Sequence, residues 1–186
     1  MIKSFIITMF LVIQVGFASV STQEFELIKS RYRKGMPERK GSNEVVWNQT
    51  IKGINQFKDE PMLMALLAYY PAPGILFERH RLDIKNVFNN DPTFVIKTAN
   101  KLFNKNIDCL LYKLLPATEQ ISYIDVRPVL TDTINKLQKE NRPDDLKLVN
   151  NFKDKADSYY TALKNNTAKL HSASCQQESG LFLKTN

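Results

Sequence analysis

The chain has 186 residues, with 26 Lys and Arg against 19 Asp and Glu, two cysteines, two histidines and six glycines. That length suits one domain with a core of its own. So few histidines and cysteines exclude a metal cluster of ordinary ligand spacing, and glycines that stand singly exclude a P-loop, a dinucleotide turn or a nucleophile elbow.

Residues 1–18, MIKSFIITMFLVIQVGFA, have the three parts of a secretory signal: Lys3 as the basic start, an apolar stretch from Phe5 to Phe17, and small residues up to Ala18. Cleavage is expected after Ala18. The apolar stretch of thirteen residues falls short of the roughly twenty that cross a bilayer, and no later stretch is longer, so the chain is expected not to span a membrane. Residues 19–186 should then form a single helical domain outside the cell. In that oxidising setting Cys109 and Cys175 are most simply one disulfide, closing a ring of 67 residues.

Phe25, Ile28 and Tyr32 mark a short first helix. A basic segment follows, KSRYRKGMPERK at 29–40, with six bases and one acid. The rest of the exported chain is nearly neutral, so Lys29, Arg31, Arg33, Lys34, Arg39 and Lys40 carry almost the whole surplus. They fit a sulfated glycan, acidic lipid headgroups or an acidic protein, though a solvated basic loop or a pair of dibasic processing sites uses the same residues. Nucleic acid is not an expected partner of an exported chain.

Ser42 can cap a second helix that runs to about Lys58 with a Trp47, Ile51 and Ile54 stripe. Asp59 or Glu60 caps a third, Pro61 fits its first turn, and Pro71 and Pro73 stop it at Tyr70. That helix, 61–70, is apolar on every side and should be buried by other helices. A buried strand is the competing reading, and the prevalence of Met, Leu and Ala favours the helix. Phe77, Ile84 and Phe88 stripe the fourth helix. Asp91-Pro92 opens a fifth with Val95, Ala99 and Leu102, which either continues or breaks at 104–106 before CLLYKLL at 109–115. Residues 117–125 read as a loop. Val126, Leu130, Ile134 and Leu137 mark the next helix, and Pro143-Asp144-Asp145 starts a last one, striped by Val149, Phe152, Ala156, Tyr160 and Leu163, towards Leu170. The tail, 172–186, is polar and held only by Cys175. The fold class is therefore all-α: one compact bundle of six to seven short helices around 61–70, with one disulfide.

Chemistry-bearing residues are sparse. His80 lies between Phe77 and Ile84, either as a ligand-contacting or pH-sensing group or as a helix-edge histidine satisfied by a carboxylate. His171 suits a helix C-terminus, and the acid pairs Asp59-Glu60 and Asp144-Asp145 are explained by capping. No cofactor, metal or catalytic group is expected. Two sequons begin at Asn48 and Asn165, both on the solvent side of their helices. The sequence thus favours binding over catalysis: a secreted glycoprotein recognising an extracellular protein or a sulfated glycan. The alternative is a carrier that encloses a hydrophobic small molecule or lipid, lined by Met62, Met64, Leu67, Tyr69, Tyr70, Phe77 and Leu111.

Overall fold

Every regular element in the computed structural model, which describes residues 19–31, 36, 43–69, 75–104, 106–115, 125–165 and 175, is helical. In chain order they are α1 (Thr22–Arg31), α2 (Asn43–Phe57), α3 (Glu60–Ala68), α4 (Ile75–Asn90), α5 (Pro92–Leu102), α6 (Asp108–Leu114), α7 (Arg127–Lys139) and α8 (Pro143–Lys164). Eight helices among the described residues exceed the six to seven expected from the sequence. The run after Asp91 divides because Asn104 takes a left-handed φ of 45° just past α5, a conformation open to asparagine at little cost. Residues 1–18, most of 117–125 and the tail apart from Cys175 fall outside the described residues.

Local chemistry sets the helix starts. Ser21 and Glu24 form a reciprocal cap on α1: the Glu24 carboxylate accepts from the Ser21 N–H at 2.9 Å, and the Ser21 hydroxyl accepts from the Glu24 N–H at 3.2 Å. The Ser21 hydroxyl also donates to the Glu24 carboxylate at 2.7 Å, and this bond, with the one from the Ser21 N–H, holds the Glu24 carboxyl below its ordinary pKa. Asp59, and not Glu60, caps α3 by accepting from the Met62 N–H at 2.9 Å. Asp91 does the same for α5 through the Phe94 N–H at 3.0 Å. Pro61 and Pro92 occupy the first turns, where no amide donor is needed.

The apolar run is helical over 62–68 and buried there except at Met64. Met62, Leu63 and Ala65 to Ala68 are all inside, and the helix ends at Ala68, with Tyr69 extended as its cap. α3 packs against α2 and α5. α5 in turn packs against α3, α4, α6, α7 and α8. It can face so many neighbours because Thr93 and Thr98 are buried as well as Val95, Ile96 and Ala99. Amphipathic striping alone does not mark those threonines as interior. Cys109 on α6 and Cys175 are both buried and form the disulfide, with Cα atoms 5.3 Å apart. Among the described residues no helix is long and apolar enough to cross a membrane.

α1 lies on α2 at Gly53. A Cβ there would sit 2.1 Å from Phe25 Cδ2, inside a ring that is already stacked on Phe57 at 5.2 Å. Glycine to alanine in a helix interior normally gains about 1 kcal/mol. Here the overlap should reverse the sign, and Gly53→Ala is expected to lose about 1–3 kcal/mol of stability, the usual range for overpacking. Urea denaturation checks this. An alanine variant as stable as the parent would show that α1 does not hold this position.

Candidate functional site

A groove of about 420 Å³ opens between the α4–α5 junction and α7. Asn89 and Asn90 end α4 on one side, and both are exposed. Phe94, in the first turn of α5, supplies a half-buried ring to the same wall. Asp91 fixes that turn: one carboxylate oxygen caps Phe94, and the other pairs with Lys58 Nζ at 3.3 Å. The Lys58 ammonium lies 5.8 Å from the centre of the Phe94 ring, a cation–π contact that further holds the ring. Across the groove, Val129, Asp132, Thr133, Lys136 and Leu137 come from one face of α7 by helical spacing. The Thr133 hydroxyl is turned inward, donating to the Val129 carbonyl at 2.7 Å.

One end of the groove is a chain of opposite charges. Lys97 Nζ lies 2.5 Å from Asp145, Arg142 also pairs with Asp145 and with Glu140 at 3.3 Å, and Lys136 is 3.8 Å from Glu140. The hydrogen bond from Lys97, and then that from Arg142, pulls the Asp145 carboxyl below its ordinary pKa despite partial burial. With Lys58, Asp91 and Asp132 included, cations and carboxylates around the groove are equal in number, so it offers polar partners without a strong net field.

Behind the core face of α4 lies a different environment. Trp47, Tyr69 and His80 meet edge to face, with Tyr69 5.4 Å from each of the other two rings, and the Trp47 indole N–H donates to Asp83 at 2.8 Å. His80 is therefore interior rather than at the helix edge expected from the sequence, because its face of α4 turns onto these aromatics and not towards solvent. Lys113, on α6, is fully buried and donates to the Tyr69 carbonyl at 2.8 Å, just where α3 ends. Burial pushes the Lys113 pKa well below its ordinary 10.5.

The sign of the resulting pH dependence follows from proton counting. Between the lowered folded value and 10.5 the unfolded chain holds more protons than the folded one, so stability rises with pH across that window. It is fully present above 10.5 and is lost as pH falls through the folded value. The slope reaches at most about 1.4 kcal/mol per pH unit. Lys113→Met should flatten it, as measured by denaturation at neutral and alkaline pH. Equal slopes in parent and variant would mean that Lys113 stays charged inside.

The residues singled out from sequence do not converge on the groove. Met62, Leu67 and Leu111 are buried core residues, while Met64, Tyr69 and Phe77 are half-buried. None of these six lines the groove, and Tyr70 lies outside the described residues. Of the basic segment, Arg33, Lys34, Arg39 and Lys40 also lie outside. Arg31 is exposed. Lys29 is not a free surface charge: its ammonium is 2.7 Å from Glu26 and 2.9 Å from Asp59, and those carboxylates raise its pKa. Met36, in the middle of the segment, is buried in the core cluster. Asn48 and Asn165 are exposed, as their helical positions suggested.

Sequence reasoning missed the groove and Lys113. Lys113 did leave a signal, a lone cation inside CLLYKLL with leucines on both sides. The groove left less, since its lining is split between the end of one helix, the start of the next and a distant third. Among the described residues no three His, Cys, Asp or Glu side chains come together as a metal-binding group. The chain matches no protein-family model, no curated protein and no solved structure.

Proposed function

We propose that this is an exported, glycosylated binding protein whose groove between α5 and α7 recognises a glycan chain on an extracellular partner. The observation that carries the reading is the lining: the amides of Asn89 and Asn90, the carboxylate of Asp132 and the ring of Phe94 face one concave space. Amides and carboxylates match the paired donor–acceptor hydroxyls of a sugar, and an aromatic face suits its C–H side. Export is supported by the pattern of residues 1–18, by the closed Cys109–Cys175 disulfide and by the exposure of both sequon asparagines. Binding rather than catalysis is supported by the placement of His80 among aromatic rings, away from the groove.

The balanced charges at the groove favour hydroxyl recognition there. A sulfated or otherwise acidic chain would draw its added attraction from the 29–40 segment, to which Arg31 contributes and Lys29 does not. Calorimetric titration with a heparin-derived oligosaccharide and with its desulfated counterpart tests this division. Asn90→Ala and Asp132→Ala should each weaken both ligands about tenfold, the loss of one or two hydrogen bonds. Arg31→Ala should weaken only the sulfated one and reduce its salt dependence. Absence of binding by the parent, or binding unchanged in both groove variants, overturns the proposal.

A further inference from the structure

Among the described residues, three that are not glycine take a left-handed φ, and each stands just past a helix. They are Lys58 at 52° after α2, Asn104 at 45° after α5 and Asn141 at 52° after α7. Asparagine enters that region readily, because its short amide bonds to nearby backbone. Lysine has no such compensation, and its Cβ crowds the following carbonyl. The backbone at Lys58 is otherwise that of an ordinary helix end, with its N–H donating to the Ile54 carbonyl at 3.0 Å. Glycine would relieve the strain and keep that bond. What the lysine adds is its side chain.

Lys58 Nζ reaches Asp91 at 3.3 Å and lies 5.8 Å from the centre of the Phe94 ring, and both partners line the groove. The protein holds the same construction a second time. Asp59 caps α3 with one oxygen and pairs with Lys29 through the other, and the Lys29 ammonium lies 5.6 Å from the centre of the Phe25 ring. There the ring is 1% exposed and stacked on Phe57, and Lys29 sits within the regular turns of α1. At Lys58 the ring is only half-buried, it faces a concave space, and the residue beneath the ammonium is strained. A ring enclosed by its core is held by its neighbours. One that opens on a groove needs another restraint, which a cation from outside the lining supplies.

We propose that Lys58 is a positioning residue of the groove, retained in a backbone conformation that disfavours it so that its ammonium holds the Phe94 ring in place for a ligand. The proposal rests on the glycan-binding reading of the groove, and two measurements without ligand keep the two distinguishable. Lys58→Gln removes the ammonium and keeps the strain, Lys58→Gly removes both, and Lys58→Arg keeps a cation over the ring. Lys58→Gly should melt about 2–4 °C above Lys58→Gln, the shift for relieving one strained residue. The Phe94 ring, followed by ¹³C relaxation of a resonance assigned by its loss in Phe94→Leu, should move more freely in the glycine and glutamine variants and stay ordered in Lys58→Arg. Calorimetric titration with the desulfated heparin-derived oligosaccharide should show binding about two- to fivefold weaker in the first two variants, the loss of one exposed cation–π restraint, and parental binding in Lys58→Arg. Equal melting of the glycine and glutamine variants overturns the proposal, since no strain would then need explaining. So does a Phe94 ring as ordered in Lys58→Gln as in the parent, or equal binding by those two proteins. Should the parent bind no oligosaccharide, the glycan reading falls, and melting and ring order alone decide the role of Lys58.

Discussion

Trp47→Ala should lower the free energy of unfolding by about 3–5 kcal/mol, the range for removing a large aromatic from a core. Trp47 is wholly buried on α2 and joins three elements at once. Its indole N–H reaches Asp83 on α4 at 2.8 Å, its edge meets Tyr69 at the end of α3 at 5.4 Å, and His80 on α4 lies 6.1 Å away. Alanine leaves a cavity where these elements meet and removes a donor from a carboxylate. Trp47→Phe separates the two effects: it fills most of the space and should lose about 1.5–3 kcal/mol, the worth of a hydrogen bond to a charged group. Trp47 is the only tryptophan, so the variants must be followed by far-ultraviolet circular dichroism rather than fluorescence. A phenylalanine variant as unstable as the alanine one would make packing unimportant here and the Asp83 contact dominant.

Replacing both Cys109 and Cys175 by alanine should cost about 4 kcal/mol in the chain-entropy account of a ring this long. A loss of that size is a large share of the roughly 5–15 kcal/mol that holds a typical domain together. The two cysteines are 66 positions apart, and both are buried, Cys109 in the first turn of α6 and Cys175 beyond the end of α8. The paired replacement is the informative one, since a single replacement leaves a buried thiol and confuses two effects. Thermal unfolding of the double variant, set beside the parent with and without reductant, measures the term. If reduction lowers the midpoint of the parent no more than that of the double variant, the bond contributes nothing to stability.

How much of this was legible beforehand depends on the distance over which each feature is encoded. Proline at the first turn and aspartate before it act within four residues, and Asp59-Glu60-Pro61 and Asp91-Pro92 announced α3 and α5 almost to the residue. The burial of 62–68 was equally open, because a segment with no polar face has only one place to go. The disulfide followed from there being two cysteines and no more. Features that depend on which helix faces which were not legible. Thr93 and Thr98 look like the polar side of α5, and only the packing of α3, α4, α6, α7 and α8 around it puts them inside. Lys29 reads as part of a basic run, and only the placement of Asp59, thirty positions later, removes it. The groove residues Asn90 and Asp132 have no sequence relation at all. They line one groove because α4 ends where α7 passes.

The sequon at Asn48 carries a constraint of timing. Thr50, its third residue, is fully buried in α2, with its hydroxyl donated to the Val46 carbonyl at 2.8 Å. A transferase must reach that hydroxyl to recognise the triplet, and once α2 has closed against its neighbours it cannot. Were this sequon used, the sugar would have to be added while the chain is still emerging, and occupancy would become a race between enzyme and helix. Slowing the closure of α2 should leave more molecules decorated, whereas bare protein, once refolded, should stay bare however long it meets the enzyme.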